Sequence, residues 1–275
     1  MPTTLGTPVR PPVLAPPTIS LITAARLRDE TDERWGNGVS FAPFNCGTSR
    51  SGAYDPCNSS YTKTITGVSG DTEFKAFAVW GSDECSSFGF ESRDFEERAI
   101  MVLRATEAKT IEQEMWLGTV TGNPRFANGS ASVVGGGPYD VGKALEKLEQ
   151  ALADGTVGNQ CMIHMRPQLL GPLLTKRLVR REGNLYFTYM DNVVVPGRGY
   201  PGTGPTGQAV GATEWMYASG VVEIFRGPIH QFALDGNQRI DRVNNNVAVF
   251  ADRMILGMFD PCINFAVEVN ESSVV

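Results

Sequence analysis

Apolar residues recur at helical spacing in three stretches of the chain. The longest runs from Asp94 to Leu117, where Phe95, Ala99 and Val102, with Met101, Ala105, Ala108 and Met115, mark the buried side. Asp94 followed by Glu97 resembles a capping box, and Gly118 supplies the stop. At 1.5 Å per residue the helix is about 35 Å long. A second helix starts at Asp140 as N-cap, presents Val141, Ala144, Leu145, Leu148 and Leu152 on one face, and ends before Gly155. A third opens with Pro167 at its first position. It carries Leu169, Leu170, Leu173, Leu174 and Leu178 inward, with Arg180 and Arg181 in the last turn, favourable for the helix dipole. A shorter, heavily charged helix is predicted from Ile22 to Trp35, ended by Gly36-Asn37-Gly38.

Strand patterns occupy much of the rest. Tyr61–Thr66 alternates and is β-branched, Gly67–Asp71 turns, and Thr72–Trp80 returns, which predicts a hairpin. A two-stranded hairpin is marginal in water by itself, so this one should lean on something outside its own fold. Cys161–Met165 is a continuous apolar run of strand length. Leu185–Met190, Val193–Val195, Trp215–Phe225, Asn246–Ala251, Met254–Phe259 and Ile263–Val269 are further strands. Thr119–Pro138 reads as a loop with weak strand character, and Pro196–Gly211, with six glycines and three prolines, as a flexible loop. The fold class is therefore α+β.

The first 17 residues hold Pro2, Pro8, Pro11, Pro12, Pro16 and Pro17. Such a segment cannot join a helix or a central strand and is extended. At 3.1 Å per residue it reaches roughly 50 Å, against a radius of gyration of about 19 Å for a globule of this length. It is long enough to cross a neighbouring subunit, and it reads as an intersubunit arm.

The 275 residues are enough for one or two cores. A net charge of −6 opposes wrapping of nucleic acid through its phosphates. No apolar run approaches the roughly 20 residues of a membrane helix. The five cysteines, Cys46, Cys57, Cys85, Cys161 and Cys262, are odd in number and scattered, so no disulfide framework is expected. A Cys46–Cys57 bridge is the one pairing weighed, and a reducing cytoplasm the expected site of synthesis.

Candidate chemistry is sparse. His164 stands three residues after Cys161, but no second Cys/His pair completes a tetrahedral zinc site, and a hydrogen-bonded core histidine is the better reading. His230 has no evident partner. Ser219 lacks a nucleophile elbow and an assigned base. Gly202–Gly207 carries a partial dinucleotide-type spacing, interrupted by Pro205 and not leading from a strand into a helix. Gly135–Gly137 is a loop before a helix rather than an anion cradle. Glu96, Glu97, Glu112 and Glu114 suit a solvated or subunit-facing edge, and Lys176, Arg177, Arg180 and Arg181 a helix C-terminus. No catalytic set, cofactor or metal is expected.

The order of elements resembles tailed-bacteriophage major capsid proteins of the Hong Kong 97 type. The strongest local likeness runs from Lys143-Ala-Leu-Glu-Lys-Leu-Glu through His164-Met-Arg, then Gly199-Tyr and Trp215-Met-Tyr-Ala-Ser-Gly. The resemblance implies an N-terminal arm (1–38), an extended hairpin loop (39–80) and a peripheral domain (81–138 and 252–275) with a spine helix (94–117). It also implies an axial domain (139–251). It implies a non-enzymatic shell subunit of a virion, assembled in the host cytoplasm into hexamers and pentamers. The shell would enclose double-stranded DNA without sequence-specific contacts, with scaffold, portal and decoration proteins as further partners. Pro8, Pro11, Pro12, Pro16, Pro17, Tyr61, Lys63, Ile65 and Phe74 are the intersubunit contacts expected. Lys63 and Lys75 show no partner asparagine, so crosslinking is not expected. The alternatives are an encapsulin-like compartment and a β-rich soluble enzyme or binding protein.

Overall fold

A computed structural model describes residues 12–43, 70–86, 95–155, 160–233, 240–241 and 246–270. The chain begins with helix α1 (Leu21–Ala24), strand β1 (Arg26–Asp29), a 3-10 turn (Glu33–Asn37), β2 (Val39–Phe41), β3 (Thr72–Phe74) and β4 (Phe77–Ser86). The long helix α2 (Phe95–Leu117) follows, then β5 (Ser132–Val133), helix α3 (Val141–Gly155) and β6 (Met162–Met165). A 3-10 turn (Pro167–Leu169) runs into α4 (Leu170–Thr175), then β7 (Val179–Glu182), β8 (Leu185–Thr188), β9 (Val193–Pro196) and β10 (Thr213–Ser219). The chain closes with β11 (Glu223–Arg226), β12 (His230–Ala233), β13 (Ile240–Asp241), β14 (Asn246–Met258) and β15 (Asn264–Asn270).

Two sheets carry the architecture. A seven-stranded sheet runs β5-β15-β10-β6-β9-β8-β7, and a six-stranded sheet is built on β14, which pairs with β4, β11, β12 and β13, with β1 beyond β11. The predicted strand Trp215–Phe225 is in fact two. It breaks at Gly220, and the chain passes from the seven-stranded sheet (β10) to the six-stranded one (β11). The two strands predicted at 246–251 and 254–259 are a single one, β14, paired along Asn246–Ile255 with β4. The sheets thus cut across the borders expected at residues 138/139 and 251/252: β15 belongs with β10, and β11 belongs with β4 and β14.

Helix α2 lies on β4 and β14. Gly81 makes this possible, because a Cβ there would sit 2.5 Å from Leu103 N and 2.8 Å from Ala99 O. Both obstacles are backbone of a packed helix and cannot swing aside. Gly81→Ala is therefore expected to cost about 2–4 kcal/mol, as overpacking against backbone does, read as a lower urea midpoint with an unchanged slope. The buried side of α2 holds Ala99, Leu103, Ala108, Ile111, Met115 and Trp116. Asp94 and its capping box lie outside the described residues. Helix α3 follows its pattern closely: Val141, Ala144, Leu145, Leu148 and Leu152 are buried against the seven-stranded sheet, packing with Ile163, Met165, Val194 and Met216. Each buried Leu contributes about 1.5–3 kcal/mol of gross apolar burial. Asp140 accepts from Gly142 N–H at 3.0 Å, the expected cap.

Several expectations are corrected. The helix predicted over 22–35 is one turn only: Ser20 caps it by accepting from Thr23 N–H at 3.3 Å, and Arg26–Asp29 then adds to the six-stranded sheet parallel to β11. Backbone pairing with a sheet edge outweighs the helical tendency of the charged run. The helix from Pro167 stops at Thr175, and Arg177 takes a left-handed φ of 57°. Arg180 and Arg181 stand on β7, where Arg180 pairs with Glu182 and Asp191. Thr72–Trp80 divides at Lys75-Ala76, with β3 on β2 and β4 on β14. The hairpin's first strand, Tyr61–Thr66, lies outside the described residues. The glycine-rich loop after β9 is held in place: Trp116 Nε1 donates to Thr203 O at 3.2 Å, and Tyr217 Oη donates to the same oxygen at 3.0 Å. Cys262 is disulfide-bonded, which the scattered cysteine spacing did not predict, while Cys161 is buried in the core beside α3.

Candidate assembly interface

Residues 12–17 have no regular structure, and Pro12 and Pro16 are exposed, with Pro17 partly so. Val13 is 82% and Leu14 50% exposed, an arrangement that leaves apolar surface without cover on its own chain. Among the described residues, Ile19 is the first to pack against the core, and Ser20 and Leu21 are the first buried ones. Pro8 and Pro11 lie outside the described residues, as do Tyr61, Lys63 and Ile65. Phe74 leaves the expected contact set: it is fully buried in its own subunit, stacked on Phe41 with centroids 5.8 Å apart and edge-on to Phe259 at 6.2 Å. It secures the base of the predicted hairpin instead of facing a neighbour.

Glu112 ties the N-terminal segment to the body. Its Oε1 accepts from Leu21 N–H at 2.9 Å and its Oε2 from Gly199 N–H at 2.7 Å. One carboxylate therefore joins α1, α2 and the loop after β9. Gly199 is required there, because a Cβ would lie 2.1 Å from Lys109 O. Burial pushes the Glu112 carboxyl above the usual range, while the two backbone donors and Arg198 pull it back down. A second tie lies further along. Arg226 bonds Asp29 of β1 through Nε at 2.6 Å and reaches Glu107 of α2 at 3.4 Å, and Arg253 of β14 reaches Glu107 at 3.3 Å. Glu107 is likewise raised by burial and lowered by the two arginines. Glu114 accepts from the N–H groups of Val120 and Thr121 and closes the C-terminal turn of α2. Glu112 and Glu114 are thus interior residues, not the solvated edge expected. Helical spacing did not show this: the backbone partners of Glu112 lie 91 and 87 residues away, and those of Glu114 lie just beyond the helix end, where the chain turns back.

His164 is a core histidine, as expected, with partners that the sequence did not reveal. Its ring stacks on Phe126 at 3.9 Å, its Nδ1 meets Tyr200 Oη at 2.9 Å, and its Nε2 meets Ser219 Oγ at 2.8 Å. The Ser219 hydroxyl donates to Gly220 O at 2.8 Å. Its one proton is therefore committed, so His164 Nε2–H donates to Ser219 and Tyr200 donates to Nδ1. That polarity is opposite to an activated serine, whose proton must face the base. Both side chains are fully buried.

Burial alone drives His164 down to about 3 from 6.5. Between those values the unfolded chain binds a proton that the folded chain refuses, so the folded state loses stability as pH falls through this window, by up to about 1.4 kcal/mol per pH unit. The raised Glu107 and Glu112 act in the opposite sense, so the check is a difference. Urea midpoints between pH 7 and pH 4.5 should fall more steeply for the native chain than for His164→Phe.

Other candidate groups are occupied or scattered. Gly136 N–H is taken by Tyr139 Oη at 3.0 Å, and Lys176 pairs with Asp140 at 2.6 Å. Among the described residues no cluster of three or more His, Cys, Asp or Glu has a metal-binding arrangement. An open depression of about 360 Å³ beside α3 is lined by Asp140, Lys143, Glu146, Glu149, Leu178 and Tyr189. Half of its lining residues are charged, and they include no nucleophile–base pair.

No protein-family model and no curated protein matches the chain. Its fold, however, matches solved capsids over almost all of its length. The capsid of a native GTA particle, computed with C5 symmetry, is 12% identical with a TM-score of 0.58, covering 98% of this chain and 95% of that one. The capsid of Ralstonia phage GP4 is 11% identical with a TM-score of 0.53, covering 98% and 96%. The capsid of cyanophage Pam1 is 9% identical with a TM-score of 0.54, covering 98% and 96%. The chain has the α+β fold of these phage and GTA capsids, as the sequence resemblance implied.

Proposed function

We propose that the chain is a major capsid subunit that assembles with copies of itself, as hexamers and pentamers, into the icosahedral head of a tailed bacteriophage around double-stranded DNA. The observation that carries this reading is the match in fold to capsids over 98% of the chain and nearly all of theirs. The uncovered apolar residues of the 12–17 segment support it, since they gain cover only from a partner. The net charge of −6 suits a wall that holds DNA without gripping it. Residues 1–38 would be the arm and 39–80 the extended loop. Residues 81–138 and 252–275 would form the periphery and 139–251 the axial part, with the two sheets bridging these portions. The protein would reside in the virion after assembly in the host cytoplasm, with scaffold, portal and decoration proteins as further partners. No catalytic role is assigned to it. Among the described residues no helix is long and apolar enough to cross a membrane.

Negative-stain microscopy of the purified chain, with nucleic-acid analysis of any particles, tests the proposal. Closed shells of uniform size support it, and particles carrying DNA extend it to packaging. Small uniform oligomers under all assembly conditions would refute it. Shells filled with protein and free of nucleic acid would point to a cargo compartment.

A further inference from the structure

Four tryptophans occur in the chain. Trp35, Trp116 and Trp215 are buried, whereas Trp80 is 63% exposed on β4. Gly81 and Val79 face helix α2, so Trp80 points from the opposite face of the sheet. Its neighbours along that face, Ala78 and Ser82, are small and exposed. The indole therefore stands clear of its strand with its ring accessible. An exposed indole flanked by small residues is a platform for proline: PPII segments dock on aromatic surfaces because they lose little conformational freedom on binding.

We propose that Trp80 seats the proline-rich segment 12–17 of a second copy of this chain. The segment has the matching chemistry. Pro12 and Pro16 are exposed and Pro17 partly so, Val13 and Leu14 are uncovered, and no regular structure competes for the backbone. In the single subunit both partners are open, so the segment does not lie on its own Trp80. Charge sets the direction of docking. Arg10 is the only charged residue among the first 25, while Asp252 stands directly across from Trp80 in the β4–β14 register. Cross-strand neighbours are about 5 Å apart, and two residues of PPII span about 6 Å. With Pro12 of the second copy on the indole, a docked PPII chain would bring the residue two positions earlier, which is Arg10, level with Asp252. The body of the protein is otherwise acidic, which favours a basic arm from a neighbour. The inference rests on the shell reading in one respect: it supplies the second copy.

Since Trp80 is the exposed tryptophan, collisional quenching of fluorescence by acrylamide reads it almost alone. The unassembled full-length chain is titrated with a synthetic peptide spanning residues 9–20. The expected result is loss of the quenchable component with a shift of its emission to shorter wavelength. Both effects should vanish in Trp80→Ala and with a peptide carrying serine at Pro12, Pro16 and Pro17. Trp80 is exposed, so its replacement leaves the fold intact, which the melting temperature checks. An unchanged quenchable component at saturating peptide overturns the docking. That outcome alongside closed shells would leave the shell reading standing, whereas peptide protection without shells would retain the docking and remove the shell.

Discussion

A chain lacking residues 1–17 is expected to fold normally and to fail to close shells. Both halves follow from where the anchoring begins. Of the deleted segment, residues 12–17 are largely exposed, and the first buried residues among those described are Ser20 and Leu21. Removing residues 12–17 deletes no described core contact, so stability is expected to stay within about 0.5 kcal/mol of the native value, or roughly 2 °C in melting temperature for a chain of this size. The cap made by Ser20 and the bond from Leu21 to Glu112 both survive the deletion. What disappears is exposed apolar surface, at Val13 and Leu14, that a second subunit would cover. In a shell each small contact repeats at every subunit, so the loss is multiplied where the monomer records nothing. Electron microscopy beside calorimetry makes the check: normal particles from the shortened chain would remove the arm from assembly, and a large drop in melting temperature would show it to be part of the subunit's own fold.

The second large effect is expected at Glu112. Glu112→Leu leaves the N–H groups of Leu21 and Gly199 buried without an acceptor, at about 1–3 kcal/mol each. Glu112→Gln keeps one acceptor but turns an amide N–H₂ toward the other donor, so its cost should be about half as large. Relief of a buried charge offsets part of both losses, because burial already disfavours the ionised carboxyl. A drop of about 4–12 °C is expected for the leucine variant, with earlier proteolysis near residues 18–25. Equal behaviour of native chain and leucine variant in both assays would mean that the arm root is held by β1 alone. The distinction bears on assembly, since Glu112 sets the place where the arm leaves the body.

Some elements were legible because their cause is local. The spacing of Val141, Ala144, Leu145, Leu148 and Leu152, with Asp140 before them, is enough for a helix with one apolar face, and α3 is that helix. The extent of α2 and the strands β6, β8 and β9 were legible for the same reason, but the core side of α2 only in part. Ala99, Ala108 and Met115 are buried as expected, whereas Met101, Val102 and Ala105 are half-buried and Leu103, Ile111 and Trp116 take the interior places. The misreadings share another cause. Arg26–Asp29 is a strand only because β11, some 197 residues further on, offers an edge. Trp215–Phe225 is mostly apolar and interrupted only by Ser219-Gly220 and Glu223, a break too slight to show from spacing alone that the chain leaves one sheet for the other there. Glu112 looks like a surface residue because its partners, Leu21 and Gly199, are distant in the chain, and Glu114 because its acceptor role appears only once the chain turns back after the helix at Val120 and Thr121.

The sequence by itself determined the helix with a complete apolar face, the continuous buried strands, a proline-rich N-terminal segment and a resemblance to capsid proteins. Each follows from short-range periodicity, backbone restriction or the order of elements. Only the tertiary structure decided which sheet each strand joins, which carboxylates are interior, that Phe74 is buried, that His164 is locked between Tyr200 and Ser219, and that Trp80 stands uncovered. Those outcomes depend on what lies across the space between segments, and pairing, burial and desolvation are properties of that space.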